Sequence, residues 1–359
     1  MPAPEPDEQQ QRNLRLVALG VSLSLLVALL VAAGLTTIPY KTLRPGSARP
    51  VAEHIYIDGV ETYEPTHSVA FTTVSVGDAT ILEALGGWLD PEIDVFPREV
   101  IEGDRDAEEN RRYNAELMDV SKLTATTVAL RTLGYEVTLH TSGTVVRRMA
   151  EGSPAAEVLQ LDDVIVAVDG EPVDAEGELS ELLQVGGIGA QHLLTVERPP
   201  GSDQRVEVPI TTVEDPQSPG RAIIGVAGQD RYASVDLPFD VTIDTGRVGG
   251  PSAGLAFTLA LIDVLTPGDL TGDLKVAVTG TIDMAGNVGI VGGAAQKAAA
   301  VRDQGYDVFL VPAGEEDEVL AAVGSSLRVV PVGTLWEALE ALAALGGSEV
   351  PAEAALSAT

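Results

Sequence analysis

The hexapeptide GGPSAG, residues 249–254, sets Ser252 in a G-x-S-x-G frame with Gly250 and Gly254. This spacing often marks a nucleophilic hydroxyl on a sharp turn. Glycines there let the backbone turn tightly and approach a substrate, and Pro251 fixes φ where a helix begins. The apolar run SAGLAFTLALIDVL (252–265) predicts that helix. Its first N–H groups have no partner within the helix, so the turn Gly250–Pro251–Ser252 could hold an oxyanion. The same residues also make an ordinary helix cap with glycines for close packing, and the motif alone does not separate the two.

A serine hydroxyl is a weak nucleophile and needs a base within hydrogen-bond reach. The four histidines, His54, His67, His140 and His192, all precede Ser252, which excludes the Ser…Asp/Glu…His order of an α/β-hydrolase. A His…Asp…Ser order survives formally, but His140 and His192 fall in a different unit and the other two lie near the apolar N-terminal segment. The absence of cysteine removes thiol nucleophiles, disulfides and thiolate metal sites together. Of the four lysines, only Lys275 and Lys297 share a unit with Ser252. Lys275 sits in a strand beside an acidic turn, where a solvated cation is the default. Lys297 lies in GGAAQKAAAV, whose small apolar residues permit close packing and desolvation. Desolvation lowers an amine's pKa, and a neutral amine can take a serine's proton. A surface lysine on a short helix is the alternative. The reading calls for no metal and no cofactor.

These residues need elements to position them. At 359 residues the chain is long enough for two or three units. Its formal charge of −32 repels phosphate backbones, so nucleic-acid binding is excluded as a function class. Residues 1–15, with three prolines, read as a disordered tail. Residues 16–36 are apolar and uncharged, and a helix of that length rises about 30 Å, one hydrocarbon core. A cleaved signal peptide competes, with VAAG (31–34) as the cleavage region, although such apolar cores usually run about 7–15 residues. Basic residues flank the segment on both sides, so charge counting does not orient it. Residues 37–130 are assigned as a connecting region without chemistry, containing a strand-like SVAFTTVSV (68–76) and a helix-like SKLTATTVALRTL (121–133).

From 131 to 212 short strands and turns predict a small, partly open β-barrel. In DDVIVAVDGEPV (162–173) an Asp-Gly turn joins two apolar runs, a hairpin signal. From 213 to 345 the pattern is mixed α/β. YASVDLPFDVTID (232–244) alternates as one half-buried strand, and AAQKAAAVRDQ (294–304) is a helix ending at Gly305. Residues 346–359 read as a second disordered tail. The expected fold class is therefore multi-domain α+β, with an N-terminal transmembrane helix preceding the barrel and the α/β unit.

EGSPAAEVLQLDDVIVAVDGEPV (151–173) resembles a PDZ domain. The resemblance implies a loop whose N–H groups take a peptide's terminal carboxylate, mapping to Leu133, Gly134 and Tyr135, with Thr132 where a glycine is common. C-terminal peptides would then be partners, with a spacer or shield role as the alternative. GGPSAG followed by VTGTIDMAGNVGIVGGAAQKAAAV (278–301) resembles the Lon-type serine–lysine peptidase domain. That resemblance implies Ser252 as nucleophile, Lys297 as base and Thr279 as the residue that orients the lysine. Asp244 and Asp283 flank the site in sequence and receive no role.

Unlike Lon proper, the sequence shows no G-x-x-x-x-G-K-[ST] phosphate loop, so no ATP is expected. The order of span, PDZ and peptidase resembles the membrane-anchored, PDZ-containing Lon-like peptidases of bacteria. It implies a catalytic part outside the cytoplasm and a short tail inside. The expectation is a membrane-tethered, ATP-independent serine endopeptidase acting on proteins or peptides, with its oligomeric state open. The rivals are a non-catalytic PDZ scaffold and a peptidase that only processes its own linker.

Overall fold

The computed structural model describes residues 8–103, 105–198 and 205–350. The expected terminal tails lie outside these residues over 1–7 and 351–359. A helix runs from Glu8 to Leu35. Within it Arg15–Leu35, 21 residues that are exposed except for half-buried Ala33 and Gly34, is long and apolar enough to cross a bilayer.

The region expected to be a connector is instead built into the α/β unit. One six-stranded sheet has the order Arg328–Val332, Val308–Pro312, Val276–Val278, Ala70–Thr80, Thr37–Pro50, Asp94–Pro97. Val276–Val278 pairs in parallel with Val308–Pro312 on one side and with Ala70–Thr80 on the other. Thr37–Pro50 then adds antiparallel. Residues 37–50, at the start of the expected connecting region, are therefore a strand of the sheet. Apolar alternation within a strand shows that one face is covered, but it does not name the neighbouring strand.

The helix foreseen at 121–133 begins earlier and spans Ala107–Thr132. Asp106 and Glu109 close a capping box at its start, which satisfies N–H groups the helix would otherwise leave unpaired. Its buried face meets the helix Gly254–Leu265, all twelve of whose residues are buried. Met118, Ala125, Val128 and Ala129 join Val51, Val69, Phe71, Leu255, Phe257 and Leu261 in one core.

A second sheet of antiparallel strands has the order Val226–Asp236, Thr138–Met149, Val164–Val168, Gln191–Glu197, Arg205–Thr211, with its own apolar core and the helix Glu176–Leu183. The hairpin foreseen at 162–173 is present, with Asp169 and Gly170 both at positive φ. The single strand expected over 232–244 is two strands. Val226–Asp236 belongs to this second sheet, and Asp240–Ile243 pairs with Ile55–Asp58. Pro238 stands between them without an N–H to donate, which favours the break. The second sheet thus extends to 236, past the expected boundary at 212.

Residues 346–350, expected to begin a disordered tail, are docked. The Ser348 N–H donates to the Asp269 carbonyl (2.8 Å) and its hydroxyl accepts from the Asp269 N–H (2.9 Å), while Val350 packs on the core.

Candidate active site

The Ser252 turn is held from three sides. The Gly250 N–H donates to the Asn114 carbonyl (2.8 Å), and the Ser121 hydroxyl donates to the Pro251 carbonyl (3.0 Å). A Cβ at Gly249 would stand 2.9 Å from the Asn114 Cβ, and Gly250 has φ +90°, so this approach to the Ala107–Thr132 helix tolerates only glycine. The Ser252 carbonyl accepts from the Gly280 N–H (3.0 Å) and the Thr279 hydroxyl (3.3 Å). Among the described residues the N–H groups of Ser252 and Ala253 donate no hydrogen bond, and they precede the helix Gly254–Leu265. Unpaired N–H donors ahead of a helix are the kind of group that can take an anion. Neither Asn114 nor Ser121 stands out in the sequence as a site residue; Ser121 opens the helix foreseen at 121–133, and the capping-box pattern at Asp106 was the signal that this helix starts earlier and carries Asn114 too.

Lys297 lies in the helix Ala294–Asp303, which starts at left-handed Gly293. The side chain is 1% exposed, and its Nζ donates to the Thr279 hydroxyl at 2.9 Å. Burial pushes the amine down to about 8, against a smaller opposing pull from the Glu315 carboxylate. Glu315 is itself raised by desolvation; one of its oxygens accepts the Val291 N–H (2.9 Å) and the other has no partner. Ser252 and Lys297 both line one cleft of about 670 Å³. Thr279 joins them, because one hydroxyl meets the Lys297 amine and the Ser252 carbonyl. The cleft is thus equipped for acyl transfer: a hydroxyl, a desolvated amine and two free N–H donors. No group of three or more metal-ligating side chains occurs among the described residues. Asp244 caps the Gly246 N–H and Asp283 closes a turn with Asn287, which gives both a local structural use.

Thr279→Val keeps the packing and removes the amine's acceptor. Its kcat is expected to fall about 10²-fold with KM little changed, whereas Thr279→Ser retains activity. Steady-state kinetics on a fluorogenic peptide would check this, and equal losses in both variants would argue against the hydroxyl's role.

The structure does not place Leu133, Gly134 and Tyr135 in a carboxylate-binding loop. They close the C-terminus of the Ala107–Thr132 helix, with their N–H groups donating to Ala129, Arg131 and Leu130 carbonyls. Leu133 packs into the cores of the α/β side and Tyr135 stacks edge-on against Phe239 at 5.1 Å. Spent amides cannot take a carboxylate. A second apolar–Gly–apolar triplet, Ile224–Gly225–Val226, opens the edge strand Val226–Asp236 instead. Between that edge and the helix Glu176–Leu183, Gln184 bonds both the N–H and the carbonyl of Ala222, and Glu176 accepts the Gly228 N–H.

Comparison with known proteins finds family matches in two segments of the chain. Residues 228–344 match the family described as the Lon protease (S16) C-terminal proteolytic domain, and residues 145–198 match the PDZ domain. The Lon protease of Neorickettsia sennetsu is 31% identical over 111 residues, 30% of this chain and 13% of that protein. Lon protease 1 of Sorangium cellulosum is 34% identical over 113 residues, 31% of this chain and 14% of that protein. The chain therefore matches only about a seventh of the length of these relatives. The PDZ domain of the SdrC-like protein from Listeria monocytogenes is 22% identical, covering 24% of this chain and 87% of that one, at a TM-score of 0.22, too low to weigh. Two separate segments of one polypeptide thus match the PDZ domain and the Lon protease (S16) C-terminal proteolytic domain.

Proposed function

We propose that the protein is an ATP-independent serine endopeptidase whose nucleophile is Ser252 and whose base is Lys297. The observation that carries this reading is the buried Lys297 amine, held by Thr279 on the cleft that Ser252 lines. The Ser252 Oγ attacks the scissile carbonyl carbon and its proton passes to the Lys297 Nζ. The N–H groups of Ser252 and Ala253 hold the oxyanion. The C–N bond then breaks, the leaving amine takes the proton from Lys297, and a water deprotonated by the same amine releases the acyl group. The helix Arg15–Leu35 serves as a single-pass anchor with the catalytic part outside the cytoplasm, and the PDZ domain presents or gates substrate segments. A cleaved signal sequence would instead leave the amino terminus of the mature chain within or just after residues 31–34, which terminal sequencing reads directly.

The test is cleavage of casein by the full-length protein in detergent between pH 6 and 10. The working form is the free amine and burial lowers its pKa to about 8, so activity is gained as pH rises. The rate should climb about tenfold per pH unit below 8 and level off above it. Ser252→Ala should be inert. A flat profile, or a Ser252→Ala protein that cleaves like wild type, would sink the dyad. An inert wild type across unfolded substrates would favour the scaffold alternative.

The cleft also supports a substrate preference. Its charged lining residues are Arg49, Arg247 and Lys297, with no carboxylate, in a chain of net charge −32. Peptides with Asp or Glu beside the scissile bond should be cleaved several-fold faster than their Asn or Gln counterparts at low salt. The preference should shrink at 0.5 M salt and in Arg49→Ala/Arg247→Ala. Equal rates for the two peptide sets in wild type would refute it.

A further inference from the structure

The short helix Ile81–Gly87 and the turn after it are amphipathic the wrong way round for a soluble surface. Ile81, Leu82, Leu85, Trp88 and Leu89 recur at the spacing of one helical face, and all five are exposed, Trp88 at 78% and Leu89 at 88%. The opposite face holds the residues that touch the protein. Ala84 is buried, and a Cβ at Gly87 would stand 2.6 Å from a Val95 methyl. The large apolar side chains therefore point away from the core.

The orientation is fixed rather than accidental. Thr80 and Glu83 form a capping box at the helix start, and the Glu83 carboxylate is paired at 2.7 Å with Arg44 of the strand Thr37–Pro50. Rolling the apolar face inward would break the Glu83–Arg44 pair and lift Ala84 and Gly87 from the protein. A rigid, contiguous, outward apolar stripe marks an interaction surface.

Its position selects the partner. The Ile81 N–H donates to the Thr36 carbonyl at 3.1 Å, and the Leu82 side chain approaches within 3.8 Å of where a Gly34 Cβ would stand. The stripe thus begins at the foot of the apolar helix Arg15–Leu35, whose last residue, Leu35, is exposed, and Tyr40 in the strand that follows is exposed as well. If that helix crosses a bilayer, its C-terminal end lies at the membrane surface, and so does the stripe. Tryptophan and tyrosine favour that boundary, where an aromatic ring meets acyl chains and head groups together. A helix with one apolar face lies flat there with that face sunk about 5–10 Å.

We propose that residues 81–89 are a second membrane contact, an interfacial helix that seats the peptidase domain on the lipid surface beside its anchor. The proposal rests on the reading of Arg15–Leu35 as a membrane span. Two contacts fix more than one. A lone anchor leaves the domain free to swing, whereas anchor and interfacial helix together set which face of the α/β unit meets the bilayer.

The chain has two tryptophans, so Trp336→Phe in the full-length protein leaves Trp88 as the single reporter. That protein is reconstituted into phosphatidylcholine–phosphatidylglycerol vesicles and floated on a density gradient. The expected result is a floating protein whose Trp88 emission is blue-shifted, shielded from iodide, and quenched by roughly half by lipids brominated near the head group, less by lipids brominated near the chain end. Leu85→Glu/Leu89→Glu in the same background should still float and still cleave a soluble peptide, but lose the quenching. A floating protein whose Trp88 is open to iodide and untouched by brominated lipid overturns the interfacial helix and leaves the anchor standing. Trp88 shielded from iodide without bromine quenching also overturns it, because protein then covers the stripe. A chain that does not float overturns the anchor and the seating together.

Discussion

Lys297→Met is expected to abolish cleavage and to raise the melting temperature of the same protein. Methionine has nearly the length of lysine and suits a buried position in a helix, so packing survives while the amine is lost. The folded-state pKa of Lys297 is lowered from 10.5 to about 8. Between those values the unfolded chain binds a proton that the folded chain does not, so wild-type stability rises with pH across that window. Below 8 both states are protonated and the whole penalty is present, about 3 kcal/mol for a lowering of this size. The Met variant has no such penalty. Part of the gain is lost because Glu315, one of whose carboxylate oxygens has no partner, loses the Lys297 charge that opposes its desolvation. A net gain of about 1–3 kcal/mol at pH 7 corresponds to roughly 3–10 °C in a domain of this size. The difference should narrow as pH approaches 10. Calorimetry at pH 7 and pH 10 checks the pattern. A variant less stable than wild type at pH 7 would mean that the ammonium is better solvated than its burial implies.

The second large effect concerns what the peptidase domain needs in order to fold. A fragment starting at 213 contains Ser252, Lys297 and Thr279 and the whole family match at 228–344, yet it should not fold. It lacks the strands Thr37–Pro50 and Ala70–Thr80 and the helix Ala107–Thr132. Val51, Val69, Phe71, Met118, Val128 and Ala129 would leave the core, among them Phe71, whose ring packs on Phe257 at 5.7 Å. Each large apolar side chain contributes about 1.5–3 kcal/mol on burial, so their joint loss approaches or exceeds the ~5–15 kcal/mol that holds a domain folded. The fragment should show neither near-UV circular dichroism nor a cooperative thermal transition, whereas a chain starting at 37 should show both. Cooperative melting of the short fragment at the temperature of the longer one would refute the sheet order.

These two expectations mark what the sequence by itself determined. Local chemistry was legible. Glycines and a proline around Ser252 declare a tight turn whatever surrounds it. The Asp-Gly pair at 169–170 declares a hairpin. The alanines around Lys297 declare a close-packed helix, and the uncharged run after Arg15 declares an apolar one. In each case the constraint lies within a few residues of the signal. What only the tertiary structure decided was non-local. A strand's alternation shows that one face is covered but not which strand lies beside it, so 68–76 could be read as a strand without being placed beside Val276–Val278. The same limit hid the Ala107–Thr132 helix behind the Ser252 turn. It also misplaced the apolar–Gly–apolar loop, because Leu133–Gly134–Tyr135 carries the right residue types while its amides are consumed by a helix end. The burial that lowers the Lys297 amine comes from elements distant in sequence. A side chain's pKa is set by everything packed around it, and that is fixed only when the chain has folded.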